Sequence, residues 1–144
     1  MPITIINDPR TSDLVVNERE DYYSRASGIV SIAAGETSKQ GTVFFRAKGT
    51  NPDATWTKVV ASGNLVTTNE FAILAGDGYG EQESVVFATT TPKKALFWVR
   101  DAEFKETPIL AIHDAALSDS EWKTLKKLLA DQSLFIANSA PVAV

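Results

Sequence analysis

The chain has 144 residues, of which 44% are hydrophobic and 22% charged, with no cysteine and a formal net charge of −4. This length and composition predict one globular domain with a single core. The lack of cysteine excludes disulfides, zinc–thiolate sites and thiol catalysis. An acidic chain whose close basic pairs are Lys93-Lys94 and Lys126-Lys127 does not favour a nucleic-acid partner.

The first 21 residues differ from the rest in their pattern. Two short apolar patches are separated there by the turn-forming Asn7-Asp8-Pro9. Because such short patches cannot form a core alone, residues 1–21 are predicted to be an extended arm that adds a strand to another protein's sheet. The alternative is a first strand of the protein's own sheet after a loose terminus. The apolar residues of the predicted arm are Ile3, Ile5, Ile6, Leu14, Val15 and Val16.

Residues 22–138 are predicted to form a β-rich domain. Short apolar or alternating segments recur there at intervals of one strand plus one turn, which is typical of antiparallel β folds. The predicted strands are Ile29–Ala33, Thr42–Arg46, Thr55–Val59, Phe71–Leu74, Ser84–Ala88, Ala95–Val99 and Leu134–Ala137.

One helix is predicted to begin after Ser118. Glu121 follows Ser118 by three residues, which is the spacing of a capping box. Trp122, Leu125, Leu128 and Leu129 then recur at helical spacing and form an apolar stripe. Residues 139–144 show no pattern and are predicted to be a loose tail. The expected fold is therefore α+β and mostly β: a compact antiparallel β domain with one short helix in its C-terminal half and an extended N-terminal arm.

The sequence offers few candidates for chemistry. His113 is the one histidine, and no Gly-x-Ser-x-Gly motif supplies an activated serine. Asp77 lies in a glycine-rich run, but the acids Glu81 and Glu83 that follow would repel phosphate, and the spacing of a calcium loop is absent. We therefore predict no catalytic residue, no metal and no cofactor. A pair of acids for glycoside hydrolysis stays open, because acids distant in sequence can meet in space.

The three tryptophans are expected in two environments. Trp98 lies in a continuous apolar run and Trp122 on the apolar stripe of the helix, so both are expected in the core. Trp56 lies on an alternating strand and is expected to be exposed, which makes it the candidate for a sugar-binding platform.

The order of these segments resembles the head decoration (cement) proteins of lambda-type tailed phages. The domain opens with Tyr23-Ser24-Arg25, which leads to the strand and glycine of Ile29–Gly35 and to the Gly-x-Val strand Gly41–Phe45. The apolar Phe71–Leu74 occupies the place of an Ala-Ile-Leu strand. The strand Ala95–Val99, the leucine-striped helix and a closing apolar strand then follow, so the resemblance covers residues 22–137.

The resemblance implies a non-enzymatic structural protein. Such proteins assemble as homotrimers on the exterior of the capsid, where their arms bind the major capsid protein and reinforce the head against the pressure of packaged DNA. The implied location is the virion, after synthesis in the host cytoplasm, with no membrane or nucleic-acid partner. Two alternatives remain open. One is another virion surface component or a β-rich binding module that contacts carbohydrate, and the other is a small hydrolase acting through carboxylates.

Overall fold

A computed structural model of the chain describes residues 15–18, 24–30, 37–49, 51, 54–76, 84–86, 93–105 and 117–137. These residues form ten strands, one 3-10 turn at Ser62–Asn64 and one α-helix, α1 (Asp119–Ala130). The strands are β1 (Val15–Glu18), β2 (Arg25–Val30), β3 (Thr37–Lys39), β4 (Val43–Ala47), β5 (Thr55–Lys58), β6 (Asn69–Gly76), β7 (Ser84–Val86), β8 (Lys93–Trp98), β9 (Ala102–Lys105) and β10 (Leu134–Ala137).

Five of the strands close into a barrel in the order β2-β5-β4-β6-β8. Neighbouring barrel strands are antiparallel, except that β2 and β5 are parallel. The β4–β6 ladder runs from Val43 opposite Ile73 to Ala47 opposite Asn69. A three-stranded sheet of order β1-β9-β10 and the pair β3–β7 complete the described strands.

Alternate residues of the barrel strands pack into two different cores. One core draws on all five barrel strands at alternate positions, which in a closed barrel is the inward face. This barrel interior consists of Val30, Phe44, Trp56, Ala72, Leu74, Ala95 and Phe97. The second core combines the outer faces of β4, β6 and β8 with residues of β9, β10 and α1. Its members are Val43, Val59, Phe71, Ile73, Ala75, Leu96, Trp98, Ala102, Phe104, Trp122, Leu125, Leu129 and Leu134.

The helix α1 begins as its sequence predicts. The Ser118 hydroxyl accepts the backbone N–H of Glu121 at 3.3 Å, and the Glu121 carboxylate accepts the N–H of Ser118 at 3.2 Å. Trp122, Leu125 and Leu129 are the buried residues of the helix and face the second core. The predicted capping box and apolar stripe are thus both confirmed. No helix in the described part of the chain is long and apolar enough to span a membrane.

The mostly β architecture with one helix is confirmed for the described residues. The antiparallel prediction is incomplete, because β2–β5 and β9–β10 are parallel pairs. A physical reason is clear for the second pair: α1 lies between β9 and β10 in the chain, and parallel neighbours need such a crossover connection. The predicted loose tail at residues 139–144 lies outside the described residues.

Candidate functional site

A pocket of about 360 Å³ lies at one end of the barrel interior. We call it the barrel-end pocket. Every barrel strand supplies a residue to its lining, either from the strand itself or from the residues directly after it. The lining consists of Ala26 from β2, Arg46 from β4, Trp56 from β5, Glu70 and Phe71 from β6, Val99 and Arg100 just after β8, and Gln132 from the turn after α1.

The strand alternation explains which side chains reach the pocket. Arg46 stands two residues from the interior residue Phe44, and Glu70 stands two residues from Ala72. Side chains two apart on a strand share a face, so both charged residues belong to the inward face of the barrel. The barrel interior is therefore apolar through its middle and charged at this end.

Contacts with Glu70, Ala54 and Trp56 hold Arg46 at the pocket. Its Nε donates to Oε1 of Glu70 at 2.5 Å, and its Nη1 donates to the backbone oxygen of Ala54 at 3.2 Å. Its Cζ also lies 4.1 Å from the ring centroid of Trp56, within the range of a cation–π contact. The Arg46 and Glu70 side chains are 17% and 29% exposed, so the pair is partly shielded from water. The guanidinium is consequently fixed in position.

Trp56 is 3% exposed, so the expectation that it is exposed is wrong. The sequence shows the alternation of β5, but closure of the barrel puts the indole on the inward face. The Arg46 guanidinium lies over its ring, and the ring centroid of Phe97 is 5.5 Å away. Stacking of a sugar ring needs an open aromatic face, so Trp56 does not provide a sugar platform. Trp98 and Trp122 are buried as predicted.

The absence of a side chain at Gly28 leaves room for the indole of Trp56. A Cβ atom at this position would lie 2.5 Å from the indole Nε1 and 3.2 Å from Cδ2 of Phe97. Carbon atoms do not approach a ring that closely without displacing it. Glycine at position 28 is therefore what allows β2 to pass beside the tryptophan that lines the pocket.

Gln132 joins the turn after α1 to the pocket rim. Its Oε1 accepts the backbone N–H of Phe71 at 2.6 Å, and its Nε2 donates to the backbone oxygen of Phe71 at 2.8 Å. The pairing of β6 with β8 ends at Ile73 opposite Trp98. Beside Phe71, the Gln132 side-chain amide therefore makes the hydrogen bonds that a neighbouring strand would otherwise make. Both backbone groups are satisfied where the ladder stops, and the rim is held to the helix layer.

The described lining of the pocket carries charges of both signs. Arg46 and Arg100 are cationic, and Glu70 is anionic. Arg100 is an exposed residue at the rim. Charged and apolar groups therefore lie side by side in this lining.

The predicted arm residues fall into two groups. Ile3, Ile5, Ile6 and Leu14 lie outside the described residues. Val15 and Val16 lie in β1, which pairs antiparallel with β9 of the same chain, and Val15 packs against the second core. For residues 15–18 the structure therefore agrees with the alternative in which this segment is a strand of the protein's own sheet.

His113 and Asp77 lie outside the described residues. Among the residues that are described, no three histidine, aspartate or glutamate side chains are grouped so as to hold a metal ion.

Sequence reasoning did not identify Arg46, Glu70, Arg100 or Gln132 as pocket residues. One sequence feature could have indicated Arg46. It is a charged residue two positions after the apolar Phe44 on a predicted strand, and so lies on the same face. Comparisons with protein-family models, with curated proteins and with solved structures find no match for this chain.

Proposed function

We propose that this chain is a structural capsid decoration protein, which binds the outside of a major capsid protein lattice and stabilises the head against the pressure of packaged DNA. The proposal includes assembly as a homotrimer and a location on the virion exterior. It is supported by the order of segments in the sequence and by one structural observation: among the described strands, β1 lies at an edge of the three-stranded sheet β1-β9-β10.

The edge position is relevant because an apolar segment of the chain precedes β1. β1 has β9 as its neighbour in the sheet, and Val15 anchors it to the second core. Residues 1–14 are joined to this anchored strand and include the apolar, β-prone segment Ile3–Ile6. An apolar segment attached to a fixed edge strand is a suitable arm for strand addition to a partner's sheet, where backbone hydrogen bonds give affinity and side-chain pockets give specificity.

The energetics favour several arms acting together. Burial of an isoleucine side chain contributes roughly 1.5–3 kcal/mol, whereas ordering the backbone costs about 1–2 kcal/mol per residue. A single arm with Ile3, Ile5 and Ile6 is therefore a weak binder. Three arms on one trimer bind far more strongly, because the first contact raises the effective concentration of the other two.

Deletion of residues 1–14 tests the proposal. The truncation should stop before Val15, because that residue packs against the core and its loss would confuse binding with stability. We expect the truncated protein to keep its circular dichroism spectrum and melting temperature but to lose co-sedimentation with heads that have been stripped of decoration. Retention of full capsid occupancy by this truncation would rule out the arm mechanism.

A matched pair of full-length variants refines this test. Replacement of Ile3, Ile5 and Ile6 by serine removes the apolar side chains and leaves the length unchanged. Replacement of Thr4, Asn7 and Thr11 by serine changes three polar residues of the same segment. The first variant should lose capsid binding and the second should keep it. Equal binding by both would show that the apolar side chains are not what the capsid recognises.

A further inference from the structure

We propose that residues 59–68, which connect β5 to β6, form the surface through which copies of this chain contact one another. We call this segment the β5–β6 strap. The inference rests on the homotrimer of the proposed function and assigns the surface that holds it together. Among the described residues, three large hydrophobic side chains are exposed, and two of them, Val60 and Val66, lie on the strap with 58% and 41% exposure.

The strap passes along the outside of β4. β5 and β6 lie on either side of β4 and both run antiparallel to it, so their connection runs along β4 from its beginning to its end. Val59 and Leu65 of the strap pack against the second core, which includes the outer face of β4. Val60 and Val66 are the hydrophobic side chains that the strap leaves exposed to solvent.

Hydrogen bonds order the backbone of the strap. Oδ1 of Asn64 accepts the backbone N–H groups of Val60 and Ala61 at 3.0 and 3.2 Å. Nδ2 of Asn69 donates to the backbone oxygen of Asn64 at 3.0 Å, and the backbone N–H of Asn69 donates to the oxygen of Val66 at 3.1 Å. Because both exposed valines belong to a segment that is already ordered, contact with a partner costs little conformational entropy.

The charge pattern indicates a second copy of the chain as the partner. None of residues 59–68 is charged, whereas 22% of the whole chain is charged and its net charge is −4. Copies of an acidic chain repel one another, so their approach costs least where each copy presents no charge. Close to a symmetry axis, each residue faces its own equivalents, and a charged residue would meet its own sign. Uncharged apolar residues avoid this repulsion, and the core of a protein interface is depleted in charge.

The third exposed hydrophobic side chain, Phe135, has different neighbours. Phe135 of β10 is 50% exposed and lies opposite Glu103 of β9. The exposed Lys105 is two residues further along β9 and therefore shares the face of Glu103. Because charged residues lie on this face, Phe135 provides a matched control for the strap.

Lysine substitution of both strap valines tests the inference. The double variant Val60→Lys with Val66→Lys changes the net charge from −4 to −2 (−4 plus two), so greater repulsion between acidic chains cannot explain a loss of association. We expect the solution mass of the full-length protein, measured by light scattering, to fall from three times 15.6 kDa to 15.6 kDa, with association weakened at least about a hundredfold. The circular dichroism spectrum should be unchanged, because both side chains are exposed in the folded chain.

Two control variants show whether the effect belongs to the strap. Phe135→Lys introduces the same charge at an exposed hydrophobic residue outside the strap and should keep the mass of the trimer. Val60→Ile with Val66→Ile keeps the strap apolar and should also keep it. Retention of the trimer by the double lysine variant, an equal loss of mass in Phe135→Lys, or a wild-type protein that is monomeric at every concentration would each overturn the inference.

Binding to heads stripped of decoration distinguishes this inference from the proposed function. A trimer that dissociates in the double lysine variant but never binds heads would support the strap contact and contradict the capsid function. A trimer that binds heads and persists in the double lysine variant would contradict the strap contact and leave the capsid function standing. A wild-type monomer that binds heads only when both valines are intact would assign the strap to the capsid protein, which would also overturn the inference.

Discussion

The two ends of the barrel interior are built by the same strands but differ in chemistry. One end contains Val30, Phe44 and Leu74, all fully buried. The other contains the partly exposed pair Arg46 and Glu70 beside an open pocket. The comparison indicates a division within one strand set, in which the apolar end is buried and stabilises the fold and the charged end is partly open to solvent. Substitutions at the two ends should therefore differ in their cost to folding.

The largest effect is expected in the middle of the barrel interior, from Phe97→Ala. The Phe97 ring is fully buried, with its centroid 5.5 Å from those of Phe44 and Trp56. Its removal leaves a cavity and should lower the free energy of unfolding by about 3–5 kcal/mol, measured by urea denaturation. Phe135→Ala makes the same chemical change at a residue that is 50% exposed and should cost less than about 1 kcal/mol. Similar losses in the two variants would contradict the packed interior.

A smaller effect is expected where the interior meets the pocket, from Gly28→Ala. The added methyl group would overlap the indole of Trp56 and should cost about 1–3 kcal/mol. Gly63→Ala is the control, because a Cβ at position 63 meets no atom within 4 Å, and its effect should stay within about 0.5 kcal/mol. A shift of the Trp56 indole N–H signal in nuclear magnetic resonance spectra should accompany the Gly28 change alone. An unchanged stability in Gly28→Ala would show that the indole is not confined as described.

The smallest of the three effects is expected at the charged end, from Arg46→Met. The change removes the ion pair with Glu70 and the contact with the Trp56 ring while keeping much of the aliphatic stem. Loss of these partly exposed interactions should cost about 1–2 kcal/mol. Lys105→Met at an exposed residue of β9 is the control and should stay within about 0.5 kcal/mol. If Arg46→Met cost as much as Phe97→Ala, the charged end would be part of the stabilising core, and the proposed division would be wrong.

The sequence predicts those helices and strands that are determined by residues close together in the chain. The capping box at Ser118 and the stripe of Trp122 and Leu125 determine where α1 begins and which face it buries. β4, β6 and β8 also follow from short apolar runs. β3, by contrast, consists of Thr37–Lys39 and has no apolar periodicity, so only its pairing with β7 makes it a strand.

Features that depend on closure of the barrel cannot be predicted from local sequence patterns. Alternation along β5 separates two faces but does not say which face lies inside. The sequence alone therefore predicts the wrong side for Trp56. The pocket likewise depends on contacts between distant residues. Arg46 and Glu70 are 24 residues apart, and Gln132 is 61 residues from Phe71. Such contacts follow from the topology rather than from any local pattern.

The most direct test of the proposed function is light scattering of the purified full-length protein, alone and with heads stripped of decoration. We predict a solution mass of three times 15.6 kDa and saturation of the heads at a fixed number of copies. A monomer that leaves the mass of the heads unchanged at every concentration would contradict the assignment as a decoration protein.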